Sequence, residues 1–123
     1  MAHRGGTVLI TGGGGGVGRL AARNHARIGC PVMALDVDEA ALRETAEGLP
    51  EIRTLTVDVA DAEAVVDAVA RTERDVGPVG RVYGAAAVRP RGRILELDVE
   101  TFHRTMRIHY GGTVHTTKAA LPA

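Results

Sequence analysis

Residues Thr7–Gly18 read TVLITGGGGGVG: an apolar, β-branched run, Thr11, five consecutive glycines, Val17 and Gly18. Arg19-Leu20-Ala21-Ala22 follows with helix-forming side chains, so the stretch reads as a strand, a tight turn and a helix start. Such a turn brings bare backbone N–H groups to an anion at the positive end of a helix, with no Cβ in the way. A nucleotide pyrophosphate is the guest this arrangement suits. The run satisfies three spacings at once: T-G-x-x-x-G-x-G through Thr11, Gly12, Gly16 and Gly18; T-G-x-x-G-x-x-G through Gly12, Gly15 and Gly18; and G-x-G-x-x-G through Gly13, Gly15 and Gly18. By itself it does not choose among them. A Walker-type loop is excluded, because Gly18 is followed by Arg19 and Leu20 rather than Lys and Ser/Thr. A flexible linker is also glycine-rich, but a linker does not join a strand to a helix start.

Downstream, Val17–Ile28 carries Leu20, Ala21, Asn24 and Ile28 at helical steps, with Gly29 as its stop. Pro31–Asp36 is a short apolar run ending in an acid, which suits a buried parallel strand. Asp36 falls 18 positions after Gly18, near the roughly 20-residue offset at which a dinucleotide fold sets a carboxylate on the ribose hydroxyls. Such an acid accepts both hydroxyl protons and repels a 2′-phosphate; the plainer alternative is that it ends a strand and opens a turn.

Asp38 is placed to cap a helix over Glu39–Glu47, with Ala41, Leu42 and Thr45 or Ala46 inward and Gly48 and Pro50 as the stop. Ile52–Val57 alternates as a third strand and leads into Asp58-Val59. Asp61 caps a helix over Ala62–Asp75, with Val65, Val66 and Val69 inward, and Gly80–Ala87 reads as a fourth strand ending in small residues. Arg89-Pro90-Arg91-Gly92-Arg93 reads as a solvated turn. Asp98 then caps a helix with Phe102, Met106, His109 or Tyr110, Thr113 and Thr117 along one face, interrupted by Gly111-Gly112. The pattern leaves open whether the helix runs through those glycines. Alternating strands and helices imply an α/β fold, a doubly wound parallel sheet with right-handed crossovers. Its ligand crevice lies beyond the carboxyl ends of the strands, where Thr11–Gly18, Asp36, Asp58-Val59 and Gly84–Ala87 all fall.

Composition bounds the partners. The chain has 123 residues, enough for one domain, and 45% hydrophobic residues, enough for a core. Fifteen basic residues balance 15 acidic ones, which offers no electrostatic footprint for nucleic acid or an anionic membrane. A single Cys30 excludes an internal disulfide framework and suits a reducing compartment. With no long apolar run and no signal-peptide core in Met1–Gly6, the expectation is a soluble, cytoplasmic protein. The five histidines, at 3, 25, 103, 109 and 115, have no metal-ligand spacing, so no metal site is expected.

Taken in order, Thr11-Gly12-x-x-x-Gly16-Val17-Gly18, Asp36, Asp58-Val59, the pattern around Leu95–Asp98, Ile108–Gly112 and Ala119–Pro122 resemble the short-chain dehydrogenase/reductase family, in its non-extended branch, over essentially the whole chain. The resemblance implies a Rossmann-type domain over residues 1–123, with four strands and truncated before the fifth. It also fixes the glycine register: Thr11, Gly12, Gly16, Val17 and Gly18 would form the pyrophosphate turn. Asp36 would bind the adenosine ribose and select NAD over NADP, helped by glycine at 15 and valine at 37. Asp58 would accept from the adenine amino group with Val59 beside the ring, and Gly84 and Ala85 would let the cofactor pass closely. The activity implied is the interconversion of an alcohol and a carbonyl substrate by hydride transfer to or from the nicotinamide, in a homo-oligomer when full length. In this register Gly16→Val is expected to abolish binding and Gly14→Ala to be tolerated.

The chain departs from the family in three places. The family's N-N-A-G after strand four is Tyr83-Gly84-Ala85-Ala86, and its helix asparagine is His109, for which packing is favoured over relaying a proton or binding a water. The catalytic serine and Tyr-x-x-x-Lys are absent: there is no serine, and Tyr83 and Tyr110 are followed four residues on by Ala87 and Val114. No catalytic residue is therefore assigned, and the expectation is the cofactor half of a longer, NAD-dependent enzyme, inactive alone. The alternatives are a non-catalytic NAD-binding module and a fragment of an extended-type epimerase or dehydratase.

Overall fold

The computed structural model describes residues 5–122. Met1–Arg4, including His3, and Ala123 lie outside the described residues. The elements are β1 (Thr7–Thr11), α1 (Gly16–Arg27), β2 (Val32–Asp36), α2 (Glu39–Ala46), β3 (Ile52–Thr56), α3 (Ala62–Asp75), β4 (Val79–Gly84), α4 (Val99–Met106) and α5 (Gly112–Ala120), with a π-helical turn over Arg107–Gly111 between the last two. The four strands form one parallel sheet in the order β3-β2-β1-β4. Strand order reverses beside β1, and a crevice opens between the ends of β1 and β4.

Alternation along β1 builds both layers of the core. Val8 and Ile10 pack with Ala22, Ala26, Val32, Ala34 and Leu42 under α1 and α2. Leu9 packs on the opposite face with Met33, Leu35, Val65, Ala68 and Val69 under α3, with Ile108 and Ala119 of the last helical segment alongside. Helices thus cover both faces, and β1 is buried at every residue, as a central parallel strand must be. The sheet is the doubly wound Rossmann-type sheet expected.

Three helix stripes differ from the sequence reading, one of them on the last helical segment, where Phe102, Met106, His109, Tyr110, Thr113 and Thr117 are exposed and Gly112, Thr116 and Ala120 are buried. α1 buries Gly18, Ala22 and Ala26, whereas Leu20 and Ile28 are exposed. The small residues let α1 lie close on the sheet, so its core face is the least hydrophobic-looking one. On α3 the inward residues are Val65, Ala68, Val69 and Thr72, and Val66 faces out. The last helix runs through Gly111-Gly112: the backbone stays helical there, with one wide turn. Gly112 is needed for packing, since a Cβ would sit 2.7 Å from Val59 Cγ2. β4 ends at Gly84, so Ala85–Ala87 leave the sheet as a loop over the crevice.

Candidate functional site

The glycine turn divides its work residue by residue. Gly12 has φ +67°, and a Cβ there would lie 2.6 Å from the Ala85 carbonyl carbon; it lets the turn pass the loop that leaves β4. That loop is pinned to the end of β1, where the Ala85 N–H donates to the Thr11 carbonyl at 3.1 Å and the Ala86 N–H to Thr11 Oγ1 at 3.3 Å. A Cβ on Gly18 would strike the Gly12 carbonyl, so Gly18 lets α1 pack under the turn. Gly16, at φ +54°, and Gly15, at an extended φ of −167°, have no atom within 4 Å of a hypothetical Cβ. They border open space.

Gly14 has a role that its spacing does not announce. Its N–H donates to Asp36 Oδ2 at 2.9 Å, while Oδ1 accepts from the Asp38 N–H at 3.1 Å. The carboxylate at the end of β2 is thereby fixed against the turn after β1. An alanine at 14 would place its Cβ 2.8 Å from Asp36 Oδ2 and 3.0 Å from Ala41 Cβ, so the expectation that Gly14→Ala is tolerated is corrected: this glycine makes room for the acid.

The N-terminus of α1 is also distinct. α2, α3 and α4 are capped by Asp38, Asp61 and Asp98, each accepting a backbone N–H. α1 has Gly15 at its cap position, with no side-chain cap, and no acid in its first turn. The first N–H groups of a helix have no carbonyl of their own helix to bond. Here no capping side chain and no first-turn acid competes with an anion for them.

A cleft of about 440 Å³ runs from this turn across the sheet ends, lined by Gly12, Gly15, Asp36, Val37, Asp58, Val59, Ala60, Ala85–Val88, Arg104, Arg107 and Ile108 among others. Of the residues singled out by sequence, Gly12, Asp36, Asp58, Val59 and Ala85 line it together. Thr11 and Gly84 line a neighbouring cavity of about 290 Å³ with Thr113, Thr116 and Thr117. Gly16 and Val17 lie on the exposed first turn of α1, and Gly18 is buried beneath Gly12. Arg104, Arg107 and Ile108 were missed; their three- and four-residue spacing on the helix begun at Asp98 is the signal that would have found them. Arg107 is paired with Glu100 on the same helix. Among the described residues no group of three or more His, Cys, Asp or Glu side chains is placed to hold a metal ion, and no helix is long and apolar enough to cross a membrane.

The model of the short chain dehydrogenase family matches residues 6–123. The chain belongs to that family. It is 37% identical over 114 residues to a 2-keto-3-deoxy-L-fuconate dehydrogenase of Xanthomonas campestris, covering 93% of this chain and 37% of the relative. It is 32% identical over 117 residues to a meso-2,3-butanediol dehydrogenase of Serratia marcescens, covering 94% of this chain and 47% of the relative. The crystal structure of a short-chain glucose/ribitol dehydrogenase from Brucella melitensis superposes with a TM-score of 0.90 at 27% identity, over 96% of this chain and 51% of that one. A variant actinorhodin polyketide ketoreductase solved with NADPH gives the same TM-score and identity, over 98% of this chain and 48% of its own. The chain thus spans about half or less of each of these relatives.

Within this short-chain dehydrogenase fold, His109 sits in the π-helical turn, with Nε2 3.0 Å from the Val88 nitrogen and 2.8 Å from its carbonyl oxygen. Whichever tautomer it holds, it fastens the loop after β4 to the last helical segment. His115 does the same for the loop after β3, its Nδ1 lying 2.8 Å from the Val59 carbonyl oxygen. Two histidines thereby brace two of the loops that line the cleft.

Proposed function

We propose that this chain is the cofactor-binding half of an NAD-dependent short-chain oxidoreductase that interconverts an alcohol and a carbonyl. The observation that carries the reading is the Asp36 carboxylate, held by two backbone N–H groups and lining the same cleft as the glycine turn. A carboxylate fixed there accepts from a ribose diol and opposes a further phosphate. The positive φ of Gly12 and Gly16 and the open space at Gly16 support the register Gly12, Gly16, Gly18 for the pyrophosphate, with Thr11 and Val17 holding the turn at either side. Asp58 and Val59 would take the adenine, and Gly84 and Ala85 would leave the cofactor room to pass.

When bound, the nicotinamide ring supplies hydride chemistry. The residues on this chain bind and orient; the serine and Tyr-x-x-x-Lys that exchange the proton in this family are not among the 123 residues. The chain by itself is therefore expected to bind NADH without turnover. Asp36→Ala tests the reading in a fluorescence titration: NADH binding should weaken and the preference over NADPH should narrow. An unchanged ratio of the two affinities overturns the assignment.

A further inference from the structure

Arg19 is the first residue after the glycine motif, and its guanidinium points back into the turn rather than out to solvent. Nη2 donates to the Gly14 carbonyl at 2.6 Å and lies 3.1 Å from both the Ala41 carbonyl and Glu44 Oε2. Nε donates to Thr45 Oγ1 at 3.0 Å. The Thr45 hydroxyl, fully buried, in turn donates to the Gly13 carbonyl at 2.7 Å. Two successive carbonyls of the glycine turn are therefore drawn toward α2.

A trans peptide sets its C=O and N–H on opposite sides. Holding the Gly13 carbonyl at Thr45 turns the Gly14 N–H the other way, where it meets Asp36. Holding the Gly14 carbonyl at Arg19 turns the Gly15 N–H away from α2, and Gly15 lines the cleft. A run of five glycines has no Cβ to restrict these peptides. Left free, the 14–15 peptide could rotate and aim a carbonyl oxygen at an incoming anion, and ordering it on binding would weaken affinity.

We propose that Arg19 and Thr45 are positioning residues that pre-set the peptides of the glycine turn for a pyrophosphate, acting through the Gly13 and Gly14 carbonyls without touching the ligand. This rests on the dinucleotide reading above and adds the device that gives an all-glycine turn one orientation. The planar fork of arginine is required, because Nε and Nη2 bond Thr45 and Gly14 at once; lysine offers a single point.

The test uses the full chain, with ADP-ribose titrated by calorimetry and adenosine by NMR. Arg19→Met should bind ADP-ribose about tenfold more weakly, the scale of one lost charge-assisted or buried hydrogen bond, with adenosine affinity unchanged, and Thr45→Val, which also frees the Gly14 N–H that holds Asp36, should lose more affinity for ADP-ribose than for adenosine. Arg19→Lys should behave like Arg19→Met. Arg23 supplies the control, since it bonds the Glu44 and Thr45 carbonyls of α2 and makes no bond to the turn; Arg23→Met should lower the melting temperature and leave the ratio of the two affinities alone. If Arg19→Met does not fold, Thr45→Val decides. Unchanged ADP-ribose affinity, an equal loss for both ligands, or full recovery in Arg19→Lys would each overturn the proposal. A wild-type chain that binds neither ligand would overturn the dinucleotide reading, and this proposal with it.

Discussion

Gly14→Ala should destabilise the chain by about 2 kcal/mol, as the sum of three effects. The new Cβ would stand 2.8 Å from Asp36 Oδ2, 2.9 Å from its Cγ and 3.0 Å from Ala41 Cβ, whereas non-bonded heavy atoms settle at about 3.5–4.0 Å. Relief requires a shift of about half an ångström or more, which strains the 2.9 Å Gly14 N–H bond to Asp36 while Asp38 holds the other carboxylate oxygen. Losing that bond costs about 1.5 kcal/mol and crowding against α2 about 1–2 more. The stiffer unfolded chain returns about 0.5–1, since Gly14 is not among the positive-φ glycines. With a urea slope of about 1.5 kcal/mol per molar, the midpoint should fall by about 1.3 M. NADH affinity should fall with it as Asp36 is displaced. Gly15→Ala is the comparison: its Cβ meets nothing within 4 Å and its φ is extended, so stability should fall only by the preference of a helix cap for glycine over alanine, about 0.5–1 kcal/mol. Equal midpoints for the two variants would refute the placement of Asp36 against Gly14.

At Gly18 the obstruction is the Gly12 carbonyl itself, which has no rotamer to escape to; Gly18→Ala should cost more than Gly14→Ala, above about 3 kcal/mol, and circular dichroism melting of the two variants checks the order. The Thr101 hydroxyl and then its N–H hold the Asp98 carboxyl below its ordinary 3.8. Its folded-state pKa being the lower, the stabilisation of α4 is present above that ordinary value and is lost as pH falls through the depressed one. Amide protection in Val99–Met106, measured against the intrinsic exchange rate at each pH, should fall on that descent, and Asp98→Asn should remove the part of this pH dependence that the cap supplies. His109→Ala releases Val88, so trypsin should cut faster within the exposed Arg91–Arg93 segment; an unchanged rate would show that the loop is held by other means.

The fold was legible because its signals are local. Asp38, Asp61 and Asp98 each cap a helix where the sequence places one, and the strand runs alternate or stay apolar according to how many faces they bury. The inward stripes of α1 and α3 were misread for a physical reason. Apolar periodicity locates a core face by size, but α1 packs through Gly18, Ala22 and Ala26 so that it can approach the sheet, while Leu20, the bulkier signal, points to solvent. In the cleft, Asp36 and Asp58 could be found from their positions after strands. Arg19 and Thr45 could not, because their bonds run to backbone carbonyls across 5 to 32 residues, and no side-chain spacing encodes such a partner.

The five glycines are therefore not five copies of one permission. Gly12, like Gly18 beyond the run, is small because backbone passes it, Gly13 because the Ala34 side chain does, Gly14 because the Asp36 carboxylate does, and Gly15 and Gly16 stand beside open space. Only the last two can have been kept small for something outside the chain, and only Gly16 of that pair also needs its positive φ. The acid and the turn, 22 residues apart, are joined by a single hydrogen bond through Gly14. A change at either end is felt at the other, so variants of the turn should alter cofactor preference as well as affinity. Of the three spacings that the sequence allowed, the one through Gly12, Gly16 and Gly18 is the only one that joins the backbone-packed pair to the one glycine of the turn that is both left-handed and open.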